Sequence, residues 1–152
     1  MIKLGLLGRN ISHSRSKEMY QRILNQEIDY FLLDFPSEIN VPALDQIFSE
    51  FQISGLSITY PYKKHFLSYV ETSEEVKFLN AINCIKHKDG NFFATNTDFF
   101  AAKTILEDLV EKSNFSKVVI LGDGNMASIS KNILERINQD FVQITRKTHG
   151  DL

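Results

Sequence analysis

Apolar and polar positions alternate along the chain in blocks whose period switches between that of a strand and that of a helix. Residues 2–7 (IKLGLL) form a short apolar run, read as a buried strand, and lead into a polar turn with Ser12, Ser14 and Ser16. Across residues 17–25, Met19, Ile23 and Leu24 recur at helical spacing. Residues 30–35 (YFLLDF) predict a second strand, and residues 39–51 a helix with Ile39, Leu44, Ile47, Phe48 and Phe51 on one stripe. Residues 55–60 (GLSITY) predict a third strand ended by Pro61, after which residues 62–70 can begin a helix. A short helix is expected within residues 72–79. The runs 82–87 and 92–95 flank Lys88-Asp89-Gly90-Asn91, and an Asp-Gly pair in that setting signals a hairpin. Residues 98–110 predict a helix with Ala101, Ala102, Ile105, Leu106 and Leu109 on its apolar side.

Strands and helices alternating at this spacing argue for an α/β class built from βαβ units with a mostly parallel sheet. After a polar linker at residues 111–116 the pattern restarts. A continuous apolar strand at 117–121 meets Gly122-Asp123-Gly124-Asn125-Met126-Ala127, then a helix to about residue 137 and a strand at 141–144. This is the first βαβ of a Rossmann-like domain, of which the complete form has two βαβαβ halves. The expected organisation is a βαβ-type domain over residues 1–100 and the beginning of a dinucleotide-binding domain, incomplete, over residues 101–152. Such an incomplete sheet exposes strand edges and apolar faces, which favours self-association, truncation or disorder over a finished monomer.

Composition narrows the function classes. The chain has 152 residues, 43% of them hydrophobic, and 17 Lys+Arg against 19 Asp+Glu give a formal charge of −2. That balance offers no broad electrostatic reason to bind nucleic acid or an acidic membrane, and the apolar runs are strand-sized, so no membrane segment is expected. The single cysteine, Cys84, cannot form an intramolecular disulfide; with no secretory signal at the start, the expected compartment is the cytoplasm. The four histidines show no metal-ligand spacing, and no metal site is proposed.

A small-molecule site is the remaining candidate. In the motif G-x-G-x-x-A at Gly122, Gly124 and Ala127, the first glycine allows a tight turn and the second a close backbone approach to a pyrophosphate at the helix N-terminus. Alone the motif is weak; its place between strand and helix favours a dinucleotide over a mere turn. Arg146 after the next strand suits a ribose 2′-phosphate, hence NADP, and equally suits an ordinary solvated surface. Ser14 and Ser16 follow the first strand, at the sheet edge where ligands of open α/β folds bind, and Ser16 reads also as a helix cap. Lys63 follows the third strand, where it is either a general acid/base or surface charge. Asn83 needs a partner among its apolar neighbours, Thr97 or Asp98 can cap the next helix, and Cys84 reads as core packing.

Taken in order, I-S-H-S-R-S, S-I-T-Y-P-Y-K, A-I-N-C, N-T-D and G-D-G-N-M-A resemble the successive motifs of the shikimate dehydrogenase family. The resemblance covers essentially the whole chain: the substrate domain, then the start of the cofactor domain. It implies NADP-dependent interconversion of 3-dehydroshikimate and shikimate in aromatic amino-acid biosynthesis. By motif, Ser14 and Ser16 hold the substrate carboxylate, Thr59, Asn83 and Asp98 bind ring hydroxyls, and Lys63, paired with Asp98, is the acid/base residue. Gly122, Gly124, Asn125, Met126, Ala127 and Arg146 take the cofactor. The sequence departs from the family pattern at Arg9-Asn10 (for Asn-Pro), Ser57 (for Asn), Asn80 (for Gly), and Asp123 and Asn125 (for small residues). A family tyrosine and glutamine of the substrate and nicotinamide pocket have no counterpart in these residues. The expectation is therefore that shikimate binds while turnover by a 152-residue species is slight. The alternative is a non-catalytic module that binds a shikimate-like ligand or a partner.

Overall fold

Five short runs rich in branched and aromatic residues make one sheet: β1 (Ile2–Gly8), β2 (Ile28–Asp34), β3 (Gly55–Ile58), β4 (Cys84–Lys88) and β5 (Asn91–Thr95), in the order β2-β1-β3-β4-β5. β1 is parallel to both neighbours, joined through α1 (Ser16–Leu24) and α2 (Leu44–Phe51), while β3, β4 and β5 run antiparallel. A short helix, α3 (Glu74–Leu79), precedes β4. The hairpin turn is the one its sequence predicts: Asp89 and Gly90 both have positive φ, 51° and 82°. The computed structural model describes residues 1–113 and 116–149, so the middle of the expected linker lies outside the described residues. The chain divides into two units, Met1–Asn96 and the part from Thr97 onward.

In the first unit Leu7, Ile47, Leu56, Tyr62, Phe66, Val76, Ile82 and Ile85 form the core, with Phe31 and Phe51 packed against it. The helix expected over residues 39–51 is shorter. Pro42 disfavours helical backbone at Val41, which is extended, so Glu38–Asn40 forms only a 3-10 turn and Ile39 is 95% exposed instead of joining the stripe. Residues 62–70 likewise form two 3-10 turns, Tyr62–Lys64 and Leu67–Tyr69. The Lys63 carbonyl there accepts from Ile82 N–H (2.8 Å), a partner outside the segment that takes the acceptor a longer helix would use. In α1 no residue is buried: Met19 and Ile23 are 54% and 71% exposed, and Tyr20 is the side chain turned toward the sheet.

The second unit begins with α4 (Thr97–Lys112). Its strands β6 (Val118–Leu121) and β7 (Phe141–Ile144) pair in parallel, connected by α5 (Asn125–Arg136), and Arg146–His149 forms α6. Ile120, Ala127 and Leu134 make the second core, with Val110 of α4 against it. Two strands offer little surface to cover, and Ile105 and Leu109, expected on the apolar side of α4, are exposed. Among the described residues no helix is long and apolar enough to cross a membrane.

Candidate functional site

The ends of β1 and β3 continue side by side past the strands. Thr59 N–H donates to the Leu7 carbonyl (2.9 Å) and Arg9 N–H to the Tyr60 carbonyl (3.2 Å). Gly8 permits this approach, since a Cβ built on it would overlap the Ile11 methyl Cγ2 and lie 2.6 Å from Thr59 Cγ2. Gly8→Ala is accordingly expected to destabilise the protein by about 1–3 kcal/mol, the usual scale of overpacking, and to weaken any ligand bound beside Thr59. A thermal melt read with a binding titration checks both.

Next, the loop after β1 is clamped. The two Asp34 carboxylate oxygens accept Asn10 N–H and Ile11 N–H, each at 2.9 Å, and Asn10 has left-handed backbone with φ 56°. A proline at position 10 has no N–H to give and cannot take that φ, so the departure from Asn-Pro noted above goes with a different tether. Ser14 N–H then donates to the Ile11 carbonyl (2.9 Å), bringing the two serines over the sheet edge. Ser14 Oγ donates to Ser16 Oγ (3.0 Å) and accepts Ser16 N–H (3.3 Å). Reading Ser16 as a cap is corrected: it is the first residue of α1, the capping position is Arg15, and no side chain caps the helix.

Ser14, Ser16 and Thr59 line one cavity of about 340 Å³, floored by Leu6 and Ile11, with His13 and Tyr60 at its walls. Arg9, also in the lining, sits over the Tyr60 ring at 5.5 Å and brings positive charge to it. A somewhat larger cavity of about 390 Å³, between Pro42, Leu44, Phe66 and Tyr69, is mainly apolar and contains none of the expected site residues.

Lys63 and Asn83 lie at the same sheet edge. Asn83 carbonyl accepts Ile58 N–H (2.8 Å), Asn83 N–H donates to Thr95 carbonyl (3.0 Å), and Lys63 carbonyl holds Ile82 N–H, so backbone bonds tie Asn83 to the end of β3 and Lys63 to the residue before Asn83. Fully buried Asn96 donates from Nδ2 to the Ala81 carbonyl (2.9 Å), joining the A-I-N-C and N-T-D segments. Lys63 and Asn83 are half-buried and neither lines the Ser14 cavity. Asp98, on the first turn of α4, belongs to the second unit.

The glycine loop of the second unit has the geometry its spacing predicts. Gly122 takes φ +97°, Gly124 precedes α5 with no side-chain cap, and a Cβ on either would meet nothing within 4 Å. Backbone N–H groups at that helix start are therefore open to an anion. Asn125 and Met126 are exposed on the first turn, and Ala127 is buried against the β6 layer, where a small side chain lets helix and strand pack closely. Arg146 is exposed just after β7. These residues fit a dinucleotide.

Three hydroxyls escaped the sequence reading as a group. Tyr20 hydroxyl and Ser57 Oγ share a hydrogen bond at 3.2 Å, and the Tyr30 hydroxyl faces Ser16 and Ser57. Only Ser57 carried a signal, as a departure from the family pattern. Cys84 is half-buried, and burial pushes its thiol pKa up despite opposition from Lys86. It is expected to react slowly with a thiol reagent at neutral pH when folded and quickly once denatured; equal rates would contradict this.

Fold and site together define an α/β ligand-binding domain followed by a strand, a glycine loop and a helix suited to a dinucleotide. Residues 6–85 match the family described as the shikimate dehydrogenase substrate binding domain, and the chain belongs to that family. It is 32% identical to the shikimate dehydrogenase (NADP(+)) of Caldicellulosiruptor bescii, over 98% of this chain and 54% of that protein. Shikimate dehydrogenase 1 from Peptoclostridium difficile superposes with a TM-score of 0.70 at 27% identity, over 100% of this chain and 58% of its own. The shikimate 5-dehydrogenase of Thermus thermophilus, in complex with NADP(H) and shikimate, gives 0.71 at 26% identity, over 96% and 56%. The chain thus spans a little over half the length of these relatives.

Proposed function

We propose that this protein acts in the NADP-dependent interconversion of 3-dehydroshikimate and shikimate. The observation that carries the reading is the Ser14–Ser16–Thr59 cavity, at the sheet edge where backbone bonds also fix Lys63 and Asn83. Ser14 and Ser16 hold the carboxylate of the substrate; Thr59, Asn83 and Asp98 take its ring hydroxyls. Lys63, working with Asp98, gives a proton to the ketone oxygen in reduction and removes it in oxidation, because an alkoxide should not develop without a donor beside it. NADP, when bound, supplies or accepts the hydride. Gly122, Gly124, Asn125, Met126 and Ala127 would hold its pyrophosphate and Arg146 its 2′-phosphate. Residues 1–100 serve as the substrate domain and residues 101–152 as the start of the cofactor domain.

The reading supposes a cytoplasmic setting and a small molecule, not nucleic acid, as partner; exposed Met19 and Ile23 on α1 support self-association. Titration calorimetry with shikimate, beside an absorbance assay of NADPH formation from NADP⁺ and shikimate, tests it. Shikimate binding is the expected result, and its absence at millimolar ligand overturns the reading. Binding with little NADPH formed is the outcome expected of these 152 residues, and robust NADPH formation by them would overturn that expectation.

A further inference from the structure

We propose that Tyr30 is a positioning residue for the Ser14–Ser16 pair: its phenolic proton engages Ser16 Oγ when a carboxylate draws the Ser14 proton away. The inference rests on the reading of these serines as the carboxylate site.

Strand alternation places Tyr30 on the sheet face opposite Phe31 and Leu33, which pack with the main core. On that face its ring lies 5.7 Å from Tyr20, and its oxygen is turned to the hydroxyls of Ser16 and Ser57. The oxygen is closed off from solvent, and its contacts to the Ser16 and Ser57 hydroxyls fall short of full hydrogen-bond geometry. A buried hydroxyl so weakly partnered is unfavourable and calls for a reason. Burial pushes the pKa of the phenol up, with Ser16 and Ser57 opposing, so it remains a neutral donor at ordinary pH.

Counting protons supplies the reason. Each serine hydroxyl has one proton and can accept two, whereas an ionised carboxylate only accepts. Without ligand, the Ser14 proton is directed to Ser16 Oγ. To hold a carboxylate with both serines, Ser14 must turn that proton to the ligand, and Ser16 must donate its own. Ser14 Oγ still accepts Ser16 N–H after the turn, but Ser16 Oγ has lost its donor. Tyr30 has the proton to replace it. A hydroxyl that accepts a hydrogen bond is also a stronger donor, so the new bond strengthens the grip of Ser16 on the anion. Ser57 Oγ is already shared with the Tyr20 hydroxyl, so Ser16 is the less committed of the two acceptors facing Tyr30.

The test is Tyr30→Phe in the 152-residue chain, which removes one oxygen and keeps the ring. Calorimetry is run with shikimate and with its methyl ester, which is neutral and a weaker acceptor than the carboxylate. Shikimate affinity is expected to fall about tenfold, the scale of one hydrogen bond in a charged network, with the ester affinity changed less than about twofold. The melting temperature of the free variant should stay close to that of the unsubstituted protein, because only a weakly partnered hydroxyl is gone. Unchanged shikimate affinity overturns the proposal, as does an equal loss for both ligands or a loss accompanied by a lower melting temperature. Failure of the unsubstituted chain to bind shikimate overturns the underlying carboxylate reading, and that outcome is visible before any variant is made.

Discussion

Alanine at both Ser14 and Ser16 is expected to weaken shikimate binding by about 10²-fold or more without lowering the melting temperature. Hydrogen bonds to a charged group each contribute roughly 1.5–3 kcal/mol, and two are lost together. Stability is spared because neither serine caps α1 and both lie half-buried beside the cavity, outside the packed core. The single substitutions should not combine simply. Ser14 and Ser16 share the 3.0 Å hydroxyl bond and the 3.3 Å amide bond, so removing either alters the other. A double variant that binds shikimate as the parent does would move the carboxylate elsewhere; a lower melting temperature would make the pair structural.

The serines were readable because their position depends on local order. A strand ending in glycine, then a polar turn, puts whatever follows at the C-terminal sheet edge. The hairpin at Asp89-Gly90 was readable for the same reason, since the turn chemistry sits in adjacent residues. Where reading failed, distant residues decided the outcome. Asp34 fixes the loop through Asn10 and Ile11, 24 and 23 positions away, and nothing near Asp34 in the sequence indicates those partners. Tyr30 could be assigned to a face by alternation, but its height along β2, and so its meeting with Ser16, follows from the β1–β2 register that sets Leu4 opposite Tyr30.

Periodicity misled in a second way, by treating every apolar side chain at helical spacing as buried. Met19 and Ile23 satisfy the spacing and remain exposed, because the sheet turns Tyr20 inward instead. Ile39 fails for a reason visible in the chain itself, since Pro42 separates it from α2. The nucleotide loop lies between these cases. Its glycine geometry at Gly122 and Gly124 follows from the motif, while Asp123 departs from the small residue of the family pattern and would place a negative charge near the phosphates, weakening the grip on the cofactor.

If the protein is catalytically complete, Lys63→Ala is expected to lower the rate of NADPH formation at saturating shikimate by about 10²-fold or more. The turn bearing Lys63 is anchored by groups other than its ammonium. Tyr62 beside it is fully buried and donates its hydroxyl to the Phe35 carbonyl (2.5 Å), while the Lys63 carbonyl keeps Ile82 N–H at 2.8 Å. Both anchors survive truncation to alanine, so the melting temperature should stay close to that of the parent. Lys63 is half-buried within the turn. Its role in proton transfer also predicts an asymmetry: kcat falls while KM moves little, because the ketone oxygen needs the proton in the transition state more than in the bound substrate. A rise in KM with kcat unchanged would assign Lys63 to binding alone. A matching loss of thermal stability would assign it to the fold.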